Sequence, residues 1–372
     1  FFRNRAHASS FNMQKNKFLL YGANGYTGRL ITAMAAQYRL QPILAGRNKL
    51  AIEALAKEHQ LPYRIADLQN AAELKKALED VAVVLHAAGP FKYTAWPMLE
   101  ACLQTGTHYI DITGEIDVFE IAKQYDSAAQ QAGIMVLPGA GFDVVPTDCL
   151  ALYLQNQLPE ATHLKLAFAS VGGGTSHGTA LTMLEGLGEG GAVRERGRIT
   201  KKPLGHRGMW VDFGVKRLFV MTIPWGDVAT AYHTTGIPNI ETYTGIAPKV
   251  YKLLKFQGFY NWLLRQSFIR KRIQKEINKR APGPSDAERE KSKSLVWGQV
   301  QAGNGRTAEA RLIGPNGYTL TAHTSLLIVQ KVLAGDYTTG YQTPASAYGA
   351  DLILEVPGVE RALKRIIKKE VG

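Results

Sequence analysis

The sequence predicts an α/β protein, a doubly wound parallel sheet joined to a second α+β domain with a mixed or antiparallel sheet. Short apolar runs alternate with helix-period segments through the first 137 residues. Beyond Pro146 the pattern changes to longer alternating runs and Asn-Gly turns. A third observation says what the first domain binds: Gly22, Gly25 and Gly28 follow directly on the first apolar run.

That run, Phe18 to Tyr21, reads as a buried strand, and Leu30, Met34 and Tyr38 then recur at helical spacing. Further βα units follow. Gln41 to Ala45 precedes a helix with Leu50, Ala54 and Leu55. Pro62 to Ala66 precedes a helix capped by Asn70 and Glu73. Ala82 to Ala87 precedes a helix with Leu99, Cys102 and Leu103, stopped by Gly106. Thr107 to Thr113 is a fifth strand, Asp117 to Ala132 a helix, and Ile134 to Leu137 a sixth strand. Right-handed crossovers then give the strand order 3-2-1-4-5-6, with the ligand crevice at the carboxyl ends where strands 1 and 4 part.

In the second half, His163 to Val171 alternates as a strand, and a Gly-rich loop leads to a helix from Ala180 to Leu187. Residues 210–245 hold further β segments. Leu295 to Gln301, Ala308 to Ile313 and Tyr318 to His323, separated by Asn304-Gly305 and Asn316-Gly317, read as an antiparallel meander. The expected division is a leader or disordered arm at 1–12, a nucleotide-binding domain at 13–145 and a substrate domain at 146–340. Helices Ala345 to Leu354 and Val359 to Glu370, within 341–372, are expected to pack back on the first domain.

Strand, glycine turn and helix make a dinucleotide-binding fingerprint. Gly22 permits the tight turn, Gly25 lets backbone approach a pyrophosphate, and Gly28 lets the helix pack on the strand. With Asn24, Tyr26 and Thr27 between them, these glycines form the expected phosphate loop. The second strand ends in Gly46-Arg47-Asn48-Lys49, where the adenosine ribose belongs. Two cations and no acid suit a 2′-phosphate, so NADP(H) is expected over NAD(H). The plainer alternative is a solvated helix start with Asn48 as its N-cap. Asp67 either meets the adenine side or caps a turn. Ala87, Ala88, Gly89 and Pro90 either pass near the pyrophosphate or form a tight strand exit. In Pro138 to Asp148, Gly141, Phe142 and Asp143 are expected to line the nicotinamide pocket.

The 372 residues allow two domains, and 45% hydrophobic with 20% charged residues is ordinary for a globular chain. The formal charge of +13 favours acidic partners: phosphorylated cofactors, acyl-carrier or CoA substrates, or an anionic membrane surface. No nucleic-acid reading motif accompanies that charge. Two cysteines without CxxC spacing suggest neither a disulfide framework nor a metal site, and a reducing cytoplasm is the expected compartment. Lys249 to Arg280 interleaves cations with Leu253, Phe256, Trp262 and Phe268. It reads either as an amphipathic helix packed on the second domain, the reading preferred here, or as an interfacial helix on anionic lipid.

For proton transfer, Tyr109, Asp111 and Thr113 share one strand face near the crevice, with Glu115 beyond. His177, beside Ser176 before a helix, and His233 are further candidate acids; each has an ordinary structural reading as well. Tyr251 and Lys255 have the spacing of a short-chain reductase pair, but lie far from the coenzyme domain. Cys149 sits in an apolar helix start and reads as core.

Several stretches together resemble the saccharopine dehydrogenase-like NADP-binding family, in its branch of trans-acting enoyl reductases and saccharopine dehydrogenase-like oxidoreductases. They are Gly22 to Gly28, Ala45 to Asn48, Ala87 to Phe91, His108 to Glu115, Gly141 to Pro146, Pro224 to Ala229 and Gly340 to Pro344. The resemblance implies a Rossmann domain, a substrate domain with the active site between them, and often a homodimer. It makes Gly22, Gly25, Gly28 and Arg47 coenzyme residues. The expected activity is NADPH-dependent reduction of an acyl-type substrate, with an acid among Tyr109, Asp111 and His177. Alternatives are an amino-acid dehydrogenase acting on an imine, with Arg194, Arg196 or Arg198 gripping carboxylates, and a non-catalytic NADP-binding or membrane-surface adaptor.

Overall fold

The computed structural model describes residues 15–172, 174–186, 188–254, 256–279 and 281–367. The expected leader at 1–12, Leu187, Lys255, Arg280 and the last five residues lie outside them.

The first half is built from β1 (Lys17–Tyr21), α1 (Tyr26–Met34), β2 (Ile43–Gly46), α2 (Lys49–His59), β3 (Tyr63–Ile65), α3 (Ala71–Leu78), β4 (Val81–His86), α4 (Phe91–Thr105), β5 (His108–Asp111), α5 (Ile116–Gln124), α6 (Asp126–Ala132) and β6 (Met135–Leu137). The chain continues through α7 (Val145–Gln157), β7 (Ala161–Val171), α8 (His177–Glu185), β8 (Gly191–Glu195), β9 (Arg198–Lys202), β10 (Gly208–Asp212), β11 (Arg217–Thr222), α9 (Asp227–Thr235) and β12 (Asn239–Gly245). Then come α10 (Pro248–Leu254), α11 (Gln257–Leu264), α12 (Ser267–Asn278), α13 (Asp286–Lys291), β13 (Lys293–Ala302), β14 (Thr307–Pro315), α14 (Gly317–Leu333), β15 (Gly340–Tyr341), α15 (Pro344–Tyr348) and β16 (Glu360–Ile367).

The first sheet runs β15-β6-β5-β4-β1-β2-β3 with parallel neighbours throughout, so the expected 3-2-1-4-5-6 order holds and β15 extends it. Strand alternation divides β1 between two cores. Phe18 and Leu20 face Ile31 of α1, while Leu19 and Tyr21 join Leu74, Leu78 and Leu99 on the opposite side. The second sheet runs β10-β11-β12-β7-β13-β14-β16, with β8 and β9 attached beside β12. It is mixed, because β12 lies parallel to β7 while the other pairs run antiparallel.

Two helices join the sheets into one body. Leu150 and Leu154 of α7 are fully buried in a core that includes Leu20 and Val83 of the first sheet and Leu166, Val296 and Leu312 of the second. Helix α14 lies against α1, β4 and β5 on one side and β14 on another. Apolar on nearly every side, these helices fill the layer between the sheets.

Four expectations need correction. Tyr318 to His323 is the start of helix α14, with the Asn316 side chain accepting from the Tyr318 amide at 2.9 Å; the Asn-Gly pair caps a helix here instead of turning a hairpin. Residues 360–367 form strand β16 along the edge of β14. Their helix-forming local sequence yields to the unpaired edge of β14 and to the 2.8 Å Lys364–Glu309 ion pair. The helix expected over 117–132 breaks at Tyr125 into α5 and α6. Finally, the described residues of the basic segment form three helices, α10, α11 and α12, not one.

Because α7 serves both sheets, Leu154→Ala should lower stability by about 2–5 kcal/mol. Denaturant unfolding followed by tryptophan fluorescence and far-UV circular dichroism should shift as one transition; separate transitions would mean that the domains unfold independently.

Candidate functional site

The coenzyme loop is built by close approach. Gly22 has φ +82°, and a Cβ there would lie 2.8 Å from the Ala88 Cβ, so the turn after β1 nestles against the exit of β4. A Cβ on Gly28 would collide with the Gly22 carbonyl and with the Ala23 backbone. Gly25 is the N-cap of α1, whose first-turn amides receive no side-chain cap. An open helix N-terminus beside a glycine turn is a cradle for a pyrophosphate. Asn24 lies against Gly46, and Thr27 sits half-buried in the first turn of α1. Tyr26 is engaged elsewhere. Its hydroxyl donates to the Pro284 carbonyl at 2.5 Å, and its ring packs edge-on against Tyr318, 5.1 Å between centroids.

At the ribose end the candidates separate. Asn48 caps α2, its side chain accepting from the Ala51 amide at 3.1 Å. Lys49 lies 3.9 Å from Glu53. Arg47 is exposed and makes no hydrogen bond or ion pair among the described residues, which leaves its guanidinium open to a 2′-phosphate. Asp67 closes a turn, its carboxylate accepting from the Gln69 amide at 3.0 Å. Ala88 seats Gly22, and its carbonyl accepts from the Thr94 hydroxyl at 2.7 Å; Gly89 and Pro90 continue this exit, with Gly89 exposed.

The acids expected on β5 serve the fold. Asp111 is fully buried and accepts from the Tyr109 hydroxyl at 2.6 Å and from the Thr113 and Gly139 amides at 2.9 Å each. It latches β5 to the segment after β6, and burial raises its pKa to about 6. Tyr109, also buried, has its hydroxyl consumed by that latch. Glu115 accepts from the Phe91 and Lys92 amides at 2.8 and 2.9 Å and so caps α4. His177 has its ring bonded to Asn278 at 2.9 Å. His233 lies in helix α9 with its ring against Tyr341. None of Tyr109, Asp111, His177 and His233 lines the cavity described next.

The loop after β6 does reach a cavity. Gly141 packs on Thr321, where a Cβ would lie 2.9 Å from its methyl group, and is a packing glycine. Thr321 also accepts from the Phe142 amide at 2.9 Å, and Thr324 donates to the Ala140 carbonyl at 2.7 Å. Helix α14 thereby holds the loop with Phe142 and Asp143 turned into a cavity of about 640 Å³. Six aromatic side chains line it: Phe142, Phe168, Trp210, Phe219, Trp225 and Tyr318. Phe168 packs on Trp225 at 4.6 Å between centroids and meets Phe142 edge-on at 5.6 Å. No Lys, Arg or His lines it among the described residues. The Tyr318 hydroxyl accepts from the Ser176 amide at 2.5 Å and lies 3.0 Å from the Thr179 hydroxyl. The Asp143 carboxyl makes no hydrogen bond among the described residues, and burial pushes its pKa up to about 7. Deeper in, Asp227 is wholly buried and held well above the carboxylate range by burial and by Asp148 and Asp143.

Sequence reasoning missed Phe168, Trp225, Tyr318, Thr179 and Thr321 as cavity residues. Only Pro224 to Asp227 carried a signal: Trp225 enters the wall, and Gly226 lets α9 approach Phe119 of α5, 2.5 Å from a would-be Cβ.

The glycine loop, the open end of α1 and the exposed Arg47 fit a dinucleotide-binding domain, and residues of the mixed sheet line a cavity together with the loop after β6. Residues 18–137 match the saccharopine dehydrogenase NADP binding domain. The chain is 26% identical over 204 residues to a saccharopine dehydrogenase-like oxidoreductase of Rattus norvegicus, 48% of each chain. It is 33% identical over 182 residues to a protein of Mycobacterium tuberculosis named as a trans-acting enoyl reductase, 45% of this chain and 43% of that one. The matches span about half the length of these relatives. Apo saccharopine dehydrogenase (L-Glu forming) from Saccharomyces cerevisiae superposes with a TM-score of 0.64 over 94% of this chain and 100% of its own, at 14% identity, so the two share a fold.

Arg47→Ala should weaken NADPH binding by about 10- to 100-fold, the loss of a charge-assisted phosphate contact, and leave NADH binding unchanged. Fluorescence titration of both coenzymes checks this; equal losses for both would remove Arg47 from the 2′-phosphate site.

Proposed function

We propose that this chain is an NADPH-dependent reductase that adds hydride and a proton across a conjugated or carbonyl bond of an acyl-type substrate held in the aromatic cavity. The observation that carries the reading is that Phe142 and Asp143, which follow β6 at the carboxyl edge where a doubly wound sheet takes its ligand, also line the aromatic cavity. When bound, NADPH supplies the hydride and leaves as NADP⁺. The aromatic walls hold the apolar substrate and exclude water. Asp143, protonated over much of the neutral range, gives its proton to the substrate atom that gains electron density as the hydride adds.

Against the imine alternative stands the chemistry of the walls, since an amino-acid substrate brings carboxylates that need cations. Arg194 is buried elsewhere, paired with Glu120 at 2.8 Å, bonded to the Val228 and Gly197 carbonyls and stacked on Tyr232. Arg196 and Arg198 are exposed on the β8–β9 hairpin.

NADPH oxidation should be detectable with enoyl or 3-oxoacyl thioesters and absent with 2-oxo acids plus amines. NADPH binding without turnover of either would overturn the reductase reading in favour of the adaptor. Asp143→Asn should lower kcat by about 10²-fold or more with coenzyme affinity unchanged, and wild-type activity should fall as pH rises through about 7.

The same residue yields a stability test. Its folded pKa, about 7, lies above the ordinary 3.8, so the folded state holds the proton more tightly than the unfolded chain does. That contribution is full below the unfolded value and lost as pH rises through about 7. Asp143→Asn should therefore stabilise the protein more at pH 8 than at pH 5 in paired thermal melts; the reverse trend would contradict the placement of this carboxyl.

A further inference from the structure

Three neighbouring helices, α10 to α12, carry an apolar surface that their packing leaves uncovered. Inward, Tyr251 rests on Phe219 at 5.0 Å, Gln257 bonds the Leu204 backbone, Arg265 donates to the Gly188 carbonyl at 2.9 Å, and Ile277 is buried. Outward stand Val250, Leu253, Phe256, Trp262 and Phe268, between 46% and 65% exposed. Five large apolar side chains facing solvent within twenty residues go well beyond the scattered exposure usual on a soluble surface.

The charge around them has one sign. Residues 249–279 contain nine Lys and Arg against one acid, Glu276. Glu276 is paired with Lys279 at 2.7 Å, while Lys249, Lys252, Lys271, Arg272 and Lys275 are exposed. Apolar side chains among exposed cations match a bilayer interface, where the rings enter the acyl boundary and the cations meet anionic headgroups. A protein partner would need an acidic surface with complementary apolar pockets; a lipid surface supplies both features without them.

The patch adjoins the mouth of the cavity. Pro248, the first residue of α10, lines it, as do Met183 and Trp210, which are 59% and 54% exposed. We infer that α10 to α12 seat this protein on an anionic lipid surface, with the cavity mouth directed at the bilayer so that an acyl substrate passes from lipid to cavity. Lipid seating stands on the surface alone; the delivery of substrate rests on the acyl-reductase reading.

The test is co-sedimentation of the 372-residue chain with phosphatidylcholine vesicles, with and without phosphatidylglycerol. Binding should be about tenfold or more tighter to the anionic vesicles and weaken in high salt. Phe256→Asp with Phe268→Asp should abolish binding at low salt, and Arg272→Glu with Lys275→Glu should reduce it several-fold. Both variants should keep wild-type NADPH affinity, which shows that they fold. No binding to anionic vesicles at low salt overturns the inference. So does binding indifferent to the Phe256 and Phe268 substitutions, since it would reflect the overall charge alone. A concentration-dependent dimer that masks the patch and prevents vesicle binding also overturns it. None of these readouts uses turnover, so the reductase reading stands or falls separately.

Discussion

The apolar layer shared by α7 and α14 is the constraint on which the rest depends. Both helices are buried by two sheets at once, so neither domain has a complete core without them. That sharing packs the second sheet against the first domain through one apolar layer. It also delivers Thr321 and Thr324 to the loop after β6, whose backbone they hold at the cavity wall. The site follows from the packing: a helix needed for the core carries the hydroxyls that shape the pocket.

Burial sorts the carboxylates of this region. Asp111 accepts three hydrogen bonds, and Asp148 accepts from the Thr234 hydroxyl at 2.6 Å and the Ala345 amide at 2.8 Å; both tie strands and helices together. Asp143 sits at the cavity without such partners and with its pKa near neutrality. A carboxyl whose hydrogen-bonding capacity is spent on the scaffold has little left for chemistry, whereas an unpartnered one beside an apolar cavity is available to a substrate. Its neighbour Asp227 is wholly buried, and burial together with Asp148 and Asp143 holds its carboxyl well above the usual carboxylate range.

The coenzyme end and the basic helices meet in one segment. The loop Ala281 to Pro284 follows α12, accepts the Tyr26 hydroxyl through Pro284, and bonds the His177 amide through the Pro282 carbonyl at 2.8 Å. Arg289 of α13 donates to the same Tyr26 hydroxyl at 3.1 Å. The residue that fingerprint spacing assigns to the phosphate loop thus anchors the second domain to that loop. Coenzyme domain and candidate lipid-facing surface are linked through a few hydrogen bonds.

The amino-acid sequence by itself determined the parallel sheet, its strand order, the glycine turn after β1 and the exposed cation after β2. These depend on local patterns: apolar strands of period two, glycines where backbone must approach, and a cation one residue past a strand. Tertiary structure decided the rest. Whether Tyr318 to His323 is strand or helix, and whether 360–367 coils or pairs with β14, depends on partners distant in sequence. The cavity likewise draws Phe142, Phe168, Trp225 and Tyr318 from four separate segments with no shared local pattern. Asp111 and Asp143 look alike as acids after strands; only the number of buried donors around each separates a latch from a candidate acid.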